Sequence, residues 1–208
     1  MNKSVLLWVS ISTLSLLSAC GGQTSSSSMP LTADEEAGLV YMREEEELAR
    51  DLYLDIFDLK PALTVFQTIS NNSETQHAAK MLTLLNTYQV NDPSTGLRYT
   101  YTDPALQAMY TQLLSNAAGG NDVAALKVGA LVEEVDIQDI NEKKAMVDAA
   151  HQDIITTYDN LLCGSRNHLR SFVSQIELLS GAPYTIQVPA LSAEVTAILA
   201  GAQEQCGR

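Results

Sequence analysis

The sequence predicts an all-α domain, a bundle of four long helices with a short connecting helix and a short C-terminal helix. Apolar residues recur at steps of three and four along four long segments, the signature of helices that bury one face. Pro, Gly and Asn-Asp breakers separate those segments, and no run of alternating polar and apolar residues is long enough for a sheet.

The elements follow in chain order. Residues 1–19 open with Lys3, continue through an apolar stretch from Val5 to Leu17 and end in small residues, as a secretory signal peptide does. The stretch is too short for a stable membrane span. Leu17-Ser18-Ala19-Cys20 resembles the lipobox at which lipoprotein signal peptidase cuts, which implies lipidation of Cys20 and a membrane partner through that lipid. Gly21, where an aspartate would retain a Gram-negative lipoprotein in the inner membrane, implies the periplasmic face of the outer membrane. Residues 20–30 then form a tether, because Gly21 to Ser28 offers no apolar side chain to bury. Residues 31–208 are the folded body, one domain with no second shift in composition.

Within the body, Thr32-Ala33-Asp34-Glu35 reads as a capping box opening a helix to about Phe57. Pro61 ends the turn, and a second helix is expected from about Ala62 to Tyr88, stopped by Asn91-Asp92-Pro93. Asp103-Pro104 starts the short connecting helix to Ala117, and Gly119-Gly120-Asn121 breaks it. The third long helix is expected over Asp122 to Asn141, the fourth over Asp148 to Leu179, closed by Gly181-Ala182-Pro183, and the terminal one over Ser192 to Ala200.

A formal charge of −13 without a Lys/Arg cluster makes nucleic acid and anionic lipid surfaces poor partners and cations better ones. With Cys20 acylated, Cys163 and Cys206 remain, and an oxidising compartment permits a disulfide tying the tail to the body. On a helical wheel Cys163 falls among Asp159, Asn160, Arg166 and Arg170, a solvated face within reach of the tail.

The chemistry lies on the buried stripes. On the first helix Leu39, Met42, Glu46, Ala49, Tyr53 and Ile56 share a face; on the second, Ser70, Glu74, His77 and Met81 do. The third aligns Gly129, Glu133, Asp136 and Ile140, and the fourth Leu161, Ser165, His168 and Phe172. Each helix thus sets ligand-type groups at mid-length of an apolar seam. An unpaired buried carboxylate costs several kcal/mol, a cost that a shared cation removes. Carboxylates and imidazoles on facing helices suit iron or manganese, one ion or a dinuclear pair.

Two motif sets carry a resemblance. Glu46-Glu47-Leu48-Ala49-Arg50-Asp51-Leu52-Tyr53, Glu74-Thr75-Gln76-His77 and the Gly129 to Asp136 segment resemble the helix motifs of rubrerythrins. Across Leu31 to Phe172, including Arg43 to Arg50 and Gly164-Ser165-Arg166-Asn167-His168-Leu169, the chain resembles more closely a prokaryotic family grouped with ferritin-like proteins. The resemblance implies a ferritin-like bundle with Glu46, Glu74, His77, Glu133, Asp136 and His168 as metal ligands; Glu45 and Glu134 rank behind them. One departure is Ser165, which stands where a second Glu-x-x-His would place its carboxylate, leaving that position to Asp136, Glu134 or water.

Two functions follow from this. The first is an oxidase- or peroxidase-type metalloprotein, which needs an external electron donor because the chain has no rubredoxin-like Cys-x-x-Cys pair. The second, which Ser165 favours, is a non-catalytic scaffold or metal-storage lipoprotein. Beside them stand plainer expectations: Glu44 and Glu47 as a solvated acidic face, His151 as a surface residue, Tyr53, Tyr88 and Tyr158 as core aromatics, and Met42 and Met81 as gap-filling core residues.

Overall fold

A computed structural model of the protein describes residues 29–207. The expected signal segment, the Cys20 lipidation site and the tether up to Ser28 lie outside the described residues. No helix among the described residues is long and apolar enough to cross a membrane.

The described chain is helical, without strands. Helix α1 spans Ala33–Leu59. Its capping box forms: Glu35 N–H donates to Thr32 Oγ1 at 3.2 Å, and Thr32 N–H donates to Glu35 Oε2 at 2.7 Å. After a turn through Pro61 come α2 (Thr64–Ile69), a π-helical turn (Ser70–Glu74) and α3 (Thr75–Tyr88). α4 (Pro104–Gly119) starts on an Asp103 cap, α5 (Asp122–Lys144) on an Asn121 cap. α6 runs Gln152–Ser180 and ends at Gly181, whose φ of 67° is the left-handed conformation that glycine adopts without strain. α7 is Ser192–Ala200, after a short 3₁₀ turn.

The continuous second helix expected from Ala62 to Tyr88 is therefore interrupted. Ser70, Asn71, Asn72 and Ser73 are side chains that compete with the helical backbone for hydrogen bonds. Here Ser70 Oγ donates to the Arg50 carbonyl of α1 at 2.8 Å and Thr75 Oγ1 donates to the Ser70 carbonyl at 2.9 Å, so the widened turn is fixed at both ends. α6 also begins four residues later than expected, because Asp148 is spent on the preceding turn, its carboxylate accepting from Ala150 N–H and its carbonyl from His151 N–H.

Helix α1 packs against α2, α3, α4 and α5, while α5 lies along α6 and α6 closes back onto α3. The core at one end of this arrangement is aromatic: the rings of Tyr53, Phe66 and Phe172 meet pairwise at 5.0 to 5.5 Å between centroids. Gly129 lets α5 approach them, since a Cβ there would stand 2.6 Å from the Phe172 ring. Met42, Met81 and Tyr158 are buried core side chains as expected, whereas Tyr88 is half-buried with its hydroxyl donating to Asp153 at 2.7 Å.

Candidate metal centre

Above the aromatic layer, five helical segments direct acids and imidazoles to one place. Glu46 comes from α1, Glu74 from the π-helical turn, His77 from α3, Glu133 from α5 and His168 from α6, and all are buried. They form two trios of ligand atoms, Glu46–Glu74–His77 and Glu74–Glu133–His168, each within 4.8 Å. Glu74 belongs to both. Its Oε2 lies 3.0 Å from His77 Nδ1 and its Oε1 lies 2.8 Å from His168 Nδ1. Glu46 Oε2 completes the first trio at 3.2 Å from His77 Nδ1, and Glu133 Oε2 the second at 3.4 Å from His168 Nδ1.

The π-helical turn positions this pair of residues. It ends on Glu74, so the carboxylate points inward from a backbone wider than an α-turn, a device common at functional sites. Gly164 admits the His77 ring, because a Cβ at that position would stand 2.6 Å from His77 Cε1. Tyr53 supports the far side: its hydroxyl donates to Glu133 Oε1 at 2.5 Å and orients the carboxylate.

The charges are closely matched. Burial pushes the Glu46 carboxyl up to about 7 against the pull of His77. Burial also raises Glu133, which His168 and the Tyr53 hydroxyl pull back. Glu74 shows the opposite balance, for the His168 and His77 charges outweigh its burial and hold it well below the usual carboxylate range. Burial would depress His168, but the carboxylates of Glu133 and Glu74 lift it to about 10; Glu46 and Glu74 raise His77 likewise. Protons on the imidazoles thus occupy the role that a cation would take.

The donor set fits such a cation. Glu46 Oε1, Glu74 Oε1 and His168 Nδ1 are buried without a hydrogen-bond partner among the described residues. His168 Nδ1 and Glu74 Oε1 are close enough to bond yet misaligned for it. Leaving such groups unsatisfied is costly, and coordination to a hard or borderline divalent ion satisfies all three.

The other acids expected as ligands are placed differently. Asp136 is buried beside the centre but outside both trios, and its carboxylate accepts a hydrogen bond from Ser165 Oγ. Ser165 thus brings no carboxylate to the centre, and its hydroxyl engages Asp136 instead. Glu45 is buried too, beyond the trios, where burial and the charges of Asp136, Asp139 and Glu46 drive its carboxyl well upward. Glu134 is turned away: it accepts from Tyr184 Oη at 2.9 Å, Gln187 N–H at 2.9 Å and Val188 N–H at 2.6 Å, pinning the segment between α6 and α7.

Three plainer expectations are corrected. Glu44 is buried, not solvated, and its carboxylate caps the start of the α4 region, accepting from Thr102 Oγ1 at 2.9 Å and Asp103 N–H at 3.0 Å. Glu47 is half-buried between Arg43, at 3.0 Å, and Arg50, at 3.4 Å. His151 is buried, with Nδ1 2.6 Å from Glu35 Oε1. The sequence signal for that pair was available in Glu35, a capping-box acid with a second oxygen free to reach another helix. Cys163 is buried as well, because the tail covers it, and it is bonded to Cys206 with 5.5 Å between Cα atoms.

This chain is 37% identical to the uncharacterized protein MJ0754 of the archaeon Methanocaldococcus jannaschii over 162 residues, 76% of this chain and 83% of that protein. The crystal structure of hypothetical protein MJ0754 superimposes with a TM-score of 0.78 at 34% identity, covering 85% of this chain and 97% of that one. The stretch that includes Glu46, Glu74, His77, Glu133 and His168 also falls within a match to a described domain. Over residues 35–201 the chain matches the family described as Uncharacterized protein domain (DUF2202), and it belongs to that family.

Proposed function

We propose that the protein is an envelope lipoprotein whose ferritin-like bundle binds iron or manganese as a dinuclear pair, with oxidase- or peroxidase-type chemistry. The observation that carries this reading is the double trio: Glu74 offers one oxygen toward each histidine, as a carboxylate bridging two ions does. Glu46 and His77 would hold one ion, Glu133 and His168 the other. Such ions supply an open position for oxygen or peroxide and a means of exchanging electrons with an external donor. The protein side contributes the dry aromatic floor and the Tyr53 hydroxyl that holds Glu133 in place. Cys20 would carry the lipid that tethers the domain to the outer membrane on its periplasmic face.

Asp136 supports a second reading. With its carboxylate engaged by Ser165, one terminal ligand fewer is free, which suits storage or structural binding without turnover. Metal analysis of protein purified without chelator, followed by spectra with ferrous iron and peroxide, separates the two. Stoichiometric metal with a peroxide-dependent spectral change supports catalysis; metal without that change supports storage; metal-free protein of unaltered thermal stability refutes both. Labelling of the full chain with radioactive palmitate, lost in Cys20→Ser, tests the anchor.

A further inference from the structure

A cavity of ≈ 200 Å³ opens between the π-helical turn, α3 and α6 and ends on the outer edges of His77 and His168. Water occupies ~30 Å³ in the liquid, so the space suits a few waters or one small polar molecule. Its side walls are neutral amides and hydroxyls, among them Asn72, Ser73 and Gln76, with Lys80 and the two imidazoles as the basic members of the lining. Among the described residues no carboxylate lines it, although the chain carries a net charge of −13. Both histidines meet the carboxylates through Nδ1, which leaves the opposite ring edges toward this cavity; His77 Nε2 lies 3.3 Å from Ser73 Oγ. The C-terminal tail borders the mouth, for Cys206 and Gly207 form part of the lining.

The tail is held at two points. Glu204 is clamped by Arg166 and Arg170, and its backbone N–H donates to Asn167 Oδ1 at 2.8 Å while its carbonyl accepts from Asn167 Nδ2 at 3.0 Å. Beyond it, the Cys163–Cys206 disulfide holds the segment at the mouth, with weaker contacts from Asn167 Nδ2 to Cys206 Sγ at 3.3 Å and from Lys80 Nζ to the Gly207 carbonyl at 3.5 Å. Breaking the disulfide leaves the Glu204 clamp in place and the two residues at the opening held by those weaker contacts alone.

We propose that this cavity is the access route by which small uncharged or anionic oxygen-donor molecules of peroxide size reach the histidine side of the centre, and that the Cys163–Cys206 disulfide straps it. The use of such molecules rests on the metal-centre reading above; the access route itself does not. Opening the strap requires a dithiol reductant, which gives two electrons and two protons to the cystine sulfurs and becomes a disulfide as the Cys163–Cys206 bond breaks.

The test uses diethyl pyrocarbonate, a small uncharged reagent that acylates the unprotonated imidazole, on metal-free protein at alkaline pH, where a larger fraction of both rings has lost its proton, with peptide mass analysis of each histidine. His77 and His168 should react about tenfold faster in Cys163→Ser/Cys206→Ser than in the disulfide-bonded protein, while His151, buried elsewhere, stays unchanged. Gln76→Trp, filling the cavity from its lip, should restore slow reaction. Equal rates with and without the disulfide overturn the strap, and an inert Gln76→Trp overturns the route. If His151 also accelerates, the double variant has lost its fold, and Gln76→Trp in the disulfide-bonded protein decides: slower reaction supports the proposal and unchanged reaction overturns it. Cobalt(II) titration is run separately. Protein that binds no cobalt but keeps this reactivity pattern refutes the metal centre and leaves the access route standing.

Discussion

Glu74 reaches His168 with one carboxylate oxygen, Oε1 at 2.8 Å from Nδ1, while its other oxygen faces His77. A residue shared by both trios should behave differently from residues that belong to one. Glu74→Ala is expected to abolish metal binding altogether, whereas Glu46→Ala or Glu133→Ala leaves about one ion where the unaltered chain holds about two. Elemental analysis of the three variants checks this. Equal loss in all three would mean that the trios do not act as two half-sites.

The same carboxylates set a pH dependence. In the metal-free protein the His77 pKa is raised and that of His168 lies at about 10, so both imidazoles carry protons at neutral pH. Metal must displace them. Binding should therefore release roughly two protons per chain and tighten as pH rises from 6 toward 9. Calorimetry in buffers of different ionisation enthalpy measures the release; affinity independent of pH would contradict it.

How far the site was legible in the sequence depended on what each residue answers to. Glu46, Glu133 and His168 lie on regular α-helix, where three- and four-residue steps predict a common face, and the structure brings them together. Glu74 and His77 converge too, although the helix expected to carry them is interrupted by a π-turn that simple periodicity does not register. Asp136 and Glu134 also sat at suggestive positions. Periodicity gives a direction, not a partner, and these two acids are claimed by Ser165 and by the chain around Gln187. Glu44 misled for the opposite reason: four consecutive glutamates look solvated until a neighbouring helix start needs an acceptor.

Gly164 makes a prediction about shape. Its hydrogen faces the His77 ring, and a methyl group there would require His77 or the α6 backbone to shift. Gly164→Ala should weaken metal binding at the Glu46–Glu74–His77 trio while lowering stability by about 1–3 kcal/mol, the usual range for overpacking. Gly129→Ala, crowding Phe172 instead, should lower stability similarly with a smaller effect on the metal. Thermal melts paired with metal titration separate the two. Identical metal affinity in both variants would show that the approach at Gly164 does not position His77.

The Glu35–His151 pair joins the start of α1 to the start of α6, and its titration fixes where it contributes. Burial opposes the Glu35 charge, but hydrogen bonds from the Thr32 and Asp148 N–H groups and from His151 prevail, lowering its pKa from 4.5 to about 2. A lowered carboxyl stabilises the fold above its unfolded value, and this contribution fades as pH falls from 4.5 toward 2. His151 is raised above 6.5, chiefly by its hydrogen bond to Glu35, so its contribution is full below 6.5 and disappears as pH rises through the folded value. Both apply together between 4.5 and 6.5. His151→Ala should thus cost most near pH 5.5, on the order of 1–3 kcal/mol because it strands a buried carboxylate, and less near pH 9. Denaturant unfolding at the two pH values measures it, and a loss that grows with pH would mean that His151 stabilises the fold as a neutral ring.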